Sequence, residues 1–188
     1  MNDTPTTDLP TSDEATEKTR AWLEKAVIGL NLCPFAASPY RAGRVRFTIS
    51  RERTAAGLLQ DLCAALTDLH GANAKEVETS LLIHPWVLND FAEYNDFLEA
   101  CDGAVAQLGL EGELQVASFH PHYQFAGTAP QDVENCTNRS PFPMLHLLRE
   151  ESVALAVEAT DTEEISERNI RLLREMGQEG WMNLWRKP

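Results

Sequence analysis

The chain has no apolar run of the roughly 20 residues that a membrane span requires, so no membrane association is expected. It also has no Cys-x-x-Cys pair. Its four cysteines, Cys33, Cys63, Cys101 and Cys136, are widely spaced. That spacing argues against a structural zinc knuckle and predicts free thiols in a reducing compartment. The leading residues, MNDTPTTDLPTSDEATEK, lack the basic start and apolar stretch of a secretory signal, and the expectation is a cytoplasmic protein. Basic residues are few, 16 Lys+Arg against 29 Asp+Glu, for a formal net charge of -13. Such a surface repels a phosphate backbone, so no nucleic-acid partner is expected. A small anionic molecule held in a local basic pocket stays compatible with it. The G-x-S-x-G, P-loop, G-x-G-x-x-G and H-E-x-x-H motifs are missing, as is any solenoid-type repeat.

What is present is ordinary globular material. Apolar residues make up 43% and charged residues 24% of 188 positions, which suits one domain with a tail. Residues 1–12, rich in Thr, Asp and Pro, read as a disordered tail, and 13–188 as a single domain. A helix is predicted from about Asp13 to Leu32, with Leu23, Ala26, Val27 and Leu30 on one face, stopped by Pro34. Strands are predicted at Val45–Ser50, Thr79–Pro85 and Leu114–Phe119. Helical spacing runs through Ala55, Leu58, Leu62, Leu66 and Leu69 to Gly71, and again from Phe91 to Leu108, with Asn89 as its cap. Ser140-Pro141 reads as the start of a further helix carrying Leu145, Leu148, Val153 and Val157. A last helix spans about Glu163 to Met176, ended by Gly177, before a tail with two tryptophans. Strands alternating with helices predict an α/β fold, a single small domain of about three mostly parallel strands with helices packed around them.

The polar chemistry is concentrated between Ser118 and Glu150. Strands two and three end in His84-Pro85 and His120-Pro121. In a parallel sheet both histidines fall on the C-terminal edge, where open α/β sheets bind ligands. Ser50 and Arg51 fall at the matching end of strand one. His120 and His122 are two apart in a segment that Pro121 holds extended, so both imidazoles face one way and can share a metal or a substrate. One of them capping a strand end is the structural alternative. His146 and Glu150 are four apart on the predicted helix and can complete a site for a divalent transition metal: zinc, iron or manganese. His146 also lies in an apolar run and fits a hydrogen-bonded core position. Asn138, Arg139 and Arg149, with Asp132 nearby, are candidates for holding an anionic substrate, since amide groups at a helix start plus a guanidinium attract carboxylate or phosphate. Ordinary capping and a structural ion pair are the plain alternative. Cys33, just past a helix end, is a candidate nucleophile if a histidine lowers its pKa; a small buried apolar role is the alternative.

Four segments together carry a family resemblance: AVIGLNLCPFA (26–36), LLIHPWVLNDFAEYNDFL (81–98), QVASFHPHYQFAG (115–127) and NRSPFPMLHLLREESV (138–153). The chain resembles the bacterial family designated domain of unknown function 1415, from about residue 16 to residue 180. The resemblance implies a single domain and brings no activity and no site residue with it.

The residues themselves support three readings. The first is a small-molecule enzyme, a metal-dependent hydrolase acting on an anionic substrate at the C-terminal edge of the sheet. There His120, His122, His146 and Glu150 form the metal centre and His84 serves in acid–base chemistry. The second is a metal-free enzyme with Cys33 as nucleophile and a histidine as base. The third is a non-catalytic module that binds a small anion or a partner protein.

Overall fold

The computed structural model describes residues 9–158 and 162–184. Most of the expected N-terminal tail, and Trp185, lie outside these residues. The chain forms a single α/β domain around a four-stranded mixed sheet of order β1-β2-β4-β3. Strands β1 (Val45–Ile49) and β2 (Thr79–Ile83) pair in parallel. Strand β4 (Met144–Arg149) lies antiparallel between β2 and β3 (Leu114–Phe119). Strands β1, β2 and β3 therefore all point one way, and their C-terminal ends share one rim.

Helix α1 (Ser12–Trp22) begins with a reciprocal capping box between Thr11 and Glu14. It continues as a π-helical stretch over Leu23–Ile28, and the short α2 (Ala37–Arg41) follows. Helix α3 (Ala55–Gly71) is capped by Thr54. Helix α4 (Phe91–Gln107) is capped by Asp90, one residue beyond the expected Asn89; its carboxylate accepts from the N–H groups of Ala92 and Glu93. Helix α5 (Glu150–Glu158) leaves the end of β4, and α6 (Thr162–Leu184) carries a break at Gly177, φ 68°, where the sequence places its end. The break turns the last segment back so that Trp181 is buried.

Two apolar layers cover the sheet. On one face Leu82, Leu145 and Leu147 pack against Leu58, Leu62, Leu66 and Leu69 of α3 and Tyr94, Phe97 and Cys101 of α4. On the other, Leu81, Ile83 and Met144 pack against Trp22, Leu23 and Val27, with Leu173 and Trp181 of α6 and the fully buried Cys136.

Strand β4 corrects the helix expected from Ser140. The run Met144–Arg149 is covered on both faces, so it is apolar nearly throughout rather than alternating, and periodicity alone does not separate it from a helix. The deciding residue is Pro143, which pushes Phe142 out of helical geometry two positions after the supposed start. The sheet thus has four strands, with an antiparallel member at its centre, rather than about three mostly parallel ones.

At the opposite end from the rim, Arg149 reaches under α3 and donates to the carbonyls of Leu69 and Ala72, each at 2.8 Å, and of Val77 at 3.1 Å. It closes the helix C-terminus, where carbonyls otherwise lack partners and a cation is favoured. Arg149→Met, which keeps much of the stem, is expected to lower stability by about 2 kcal/mol in urea unfolding, since a hydrogen bond to a charged group is worth about 1.5–3 kcal/mol. An unchanged midpoint would remove this role.

Candidate functional site at the strand rim

Strands β2 and β3 each run into a His-Pro turn. The chain reverses at His84-Pro85-Trp86-Val87 and at His120-Pro121-His122-Tyr123, the latter closed by a bond from Tyr123 N–H to the His120 carbonyl at 3.1 Å. Both leading histidines are fully buried. His84 Nδ1 lies 3.0 Å from the Val87 carbonyl, and His120 Nε2 lies 3.2 Å from the Leu88 carbonyl. A carbonyl only accepts, so the tautomers follow: His84 carries its proton on Nδ1 and His120 on Nε2. The two carbonyls belong to consecutive residues of one tight turn, and Leu88 sits in the left-handed region, φ 54°. A non-glycine residue pays roughly 1–2 kcal/mol for that conformation.

The two imidazoles differ in what their second nitrogen does. His120 Nδ1 accepts the His122 N–H at 3.0 Å, so the ring is fully committed. His84 Nε2 is buried and has no hydrogen-bond partner among the described residues. Tyr94 stands against both rings, with centroids 5.8 Å from His84 and 5.0 Å from His120. Phe91 packs on His120, ring centroids 5.4 Å apart, and Tyr123 packs in turn on Phe91 at 5.2 Å. Burial is the main cause that pushes both histidines from 6.5 down to about 4, and neighbouring imidazoles push the same way, His120 on His84 and His122 on His120. Both rings are therefore neutral at physiological pH.

The other expected site residues are distributed differently. His122 is exposed, and the turn, rather than an extended strand, sets it beside His120 with ring centroids 5.9 Å apart. His146 lies within β4, two residues in from the rim, facing Phe119 at 6.1 Å. Its Nε2 is 2.7 Å from Thr79 Oγ1, whose hydroxyl donates to the Leu147 carbonyl at 2.6 Å, so the imidazole donates to the threonine. Glu150 follows the far end of β4, its N–H bonded to the Glu113 carbonyl. At about 3.3 Å per strand residue, Glu150 is some 20 Å from the rim. His146 and Glu150 do not share a helix face, and His120, His122, His146 and Glu150 cannot converge on one ion. Among the described residues, no three His, Cys, Asp or Glu side chains form a group able to hold a metal. His84 is the one rim histidine with the ring arrangement of a metal ligand, Nδ1–H on a carbonyl and Nε2 open.

The expected anion-binding residues serve the long loop itself. Arg139 donates through Nε to the Tyr123 carbonyl at 3.2 Å and through a terminal nitrogen to Pro130, while its own carbonyl receives Trp22 Nε1. Asn138 donates to the Ser118 carbonyl at 3.1 Å and accepts His120 N–H on its own carbonyl, fastening a 3-10 turn (Val133–Asn138) to β3. Asp132 accepts the Ala129 N–H at 2.8 Å. Asn135 is buried and accepts from Phe125 N–H and the Thr128 hydroxyl while donating to Ala129. Arg149 is at the opposite end of the sheet. Cys33 packs on the α1 and α6 face, whereas His84 faces α4, and burial raises its thiol pKa.

Three features lie outside the sequence reading: Tyr94 as the ring between two histidines, the left-handed Leu88, and Thr79 as the partner of His146. Only the two His-Pro pairs, 36 residues apart, signal in advance that two strands end alike.

A family model described as "Protein of unknown function (DUF1415)" matches residues 14–183. The chain belongs to this family. No curated protein and no solved structure matches it. In DUF1415 terms, the matched region takes in every described strand, both His-Pro turns and the loop between them.

Proposed function

We propose that this protein is a small-molecule enzyme that works by acid–base chemistry at the C-terminal rim of its sheet, with His84 as the proton-accepting group. The observation that carries this reading is the unpartnered Nε2 of a fully buried imidazole. Leaving a buried polar atom unpaired costs about 1–3 kcal/mol, and native proteins keep few of them. Around it, His120, Asp132, Asn138 and Arg139 are spent on backbone groups, whereas His84 Nε2 is held open, with the tautomer of its ring fixed by the Val87 carbonyl. Neutral at pH 7, it can accept a proton or a hydrogen bond from a substrate. At the end of β1, Arg51 and Arg53 are exposed, with no hydrogen bond or ion pair to a described residue, and suit an anionic substrate. No metal is needed for this reading, since the residues first expected to hold one are dispersed.

The test is turnover of a panel of anionic esters, thioesters, amides and phosphomonoesters by the native protein and by His84→Asn. The asparagine amide replaces Nδ1 as donor to Val87 and deletes the Nε2 position. Turnover should fall a hundred-fold or more, the lower end of what a general base contributes. Undiminished turnover in the variant, or none by the native protein on any of the four classes, would overturn the proposal.

A further inference from the structure

Ser50 is the first residue past β1, and its N–H donates to the Ile83 carbonyl at 2.9 Å. Since Ile49 pairs with Ile83, Ser50 continues the parallel register opposite His84. Side chains alternate along a strand. Val45, Phe47 and Ile49 face the α1 side, so Ser50 falls on the α3 and α4 side, the side of Leu82 and His84. Neighbouring strands are about 4.8 Å apart. The hydroxyl and the imidazole are therefore side by side at the rim, and both are buried, Ser50 at 1% exposure and His84 at 0%.

Their hydrogen bonding is complementary. Ser50 Oγ accepts the Glu52 N–H at a long 3.3 Å, and its own proton goes to no described acceptor. His84 Nε2 receives from no described donor. An unused donor on one strand end thus stands in register with an unused acceptor on its neighbour, and the serine hydroxyl turns about a single side-chain torsion. The far nitrogen of the imidazole is anchored by Val87, the part an orienting group plays behind a catalytic histidine.

We infer that Ser50 is the nucleophile of this site, acting on the acyl carbon of a small anionic carboxylic ester or thioester. This rests on the reading of His84 as proton acceptor. As Ser50 Oγ bonds the acyl carbon, its proton passes to His84 Nε2. As the bond to the alcohol or thiol breaks, that proton leaves with it. Water then attacks the Ser50 ester, giving one proton to His84, which returns it to Ser50 Oγ as the carboxylic acid departs and loses its remaining proton to solvent. Arg51 and Arg53 follow the nucleophile in the chain, exposed, and suit the anionic end of the substrate.

The experiment is treatment of the native full chain with a small alkyl fluorophosphonate, followed by intact mass and peptide mapping. One adduct on Ser50 is expected, absent from Ser50→Ala and formed at least a hundred-fold more slowly in His84→Asn. No adduct on the native protein, under conditions that fully label a serine esterase, would overturn the inference. So would labelling of Ser50→Ala at the native rate. If His84→Asn loses turnover of the substrate panel while Ser50→Ala keeps it, Ser50 falls and the His84 site stands. If neither variant loses turnover, both readings fall. The native labelling requires no variant to fold, and matching thermal midpoints establish that Ser50→Ala does.

Discussion

Lowering the pH from 6.5 to 4 should strip several kcal/mol from the stability of this protein. His84 and His120 have folded-state values of about 4 against an ordinary 6.5, chiefly through burial. Above pH 6.5 the folded and unfolded chains are both neutral at these positions, and the full stability is present. Between 6.5 and 4 the unfolded chain takes up protons that the folded one refuses, so stability falls as pH falls. Below 4 both states are protonated and the loss is complete. A tenfold change in proton affinity corresponds to about 1.4 kcal/mol, which makes the loss about 3 kcal/mol for His84. It is at most as much for His120, which lies beside the exposed His122. His146, also lowered to about 4, acts in the same direction. Against a total stability of about 5–15 kcal/mol this is a large share. The opposing effect is relief of self-repulsion in a chain of net charge -13 as its carboxylates neutralise. Urea midpoints at pH 7, 5.5 and 4.5 measure the balance. They should fall steeply, and the fall should be shallower in His84→Asn. Flat midpoints across this window would mean that the rim imidazoles titrate normally.

Tyr94→Phe should cost about 3 kcal/mol although it removes a single oxygen. The Tyr94 hydroxyl donates to the Met144 carbonyl at 2.9 Å and accepts the Phe119 N–H at 3.0 Å. Phe119 and Met144 face each other across β3 and β4, so the phenol completes the last rung of that ladder. Phenylalanine fills the same space and leaves both backbone groups buried without partners, at roughly 1–3 kcal/mol each. Denaturant unfolding reads the loss. Amide exchange should show it concentrated at the rim, with faster exchange at Phe119 and unchanged protection in the middle of β2. A loss under 1 kcal/mol would mean that water replaces the hydroxyl there.

The sequence exposes the outer frame of this fold more readily than its centre. Strands β1, β2 and β3 and helices α3 and α4 follow from periodicity, because each is bounded by glycine, proline or a capping residue. The central strand does not, since burial on both faces erases the alternation that marks a strand. The site follows the same division. That His84 and His120 share a rim is legible from two His-Pro pairs closing two parallel strands. The fate of Asn135, Asn138 and Arg139 is not. In composition they resemble a ligand cradle, but a long loop folded against a sheet edge must satisfy its own backbone groups, and that need consumes them. Helical spacing pairs His146 with Glu150, but with β4 a strand its neighbour is Thr79 from the adjacent strand, 67 positions away.

The antiparallel β4 also orders events during synthesis. It is the last strand among the described residues, yet it stands between β2 and β3. A nascent chain that has emerged only as far as residue 140 holds β2 and β3 with their facing edges unpaired, a gap two strand spacings wide, about 10 Å. It also lacks Met144, whose carbonyl the Tyr94 hydroxyl needs. The histidine rim is thus assembled only after most of the chain has left the ribosome, by the insertion of a single six-residue segment.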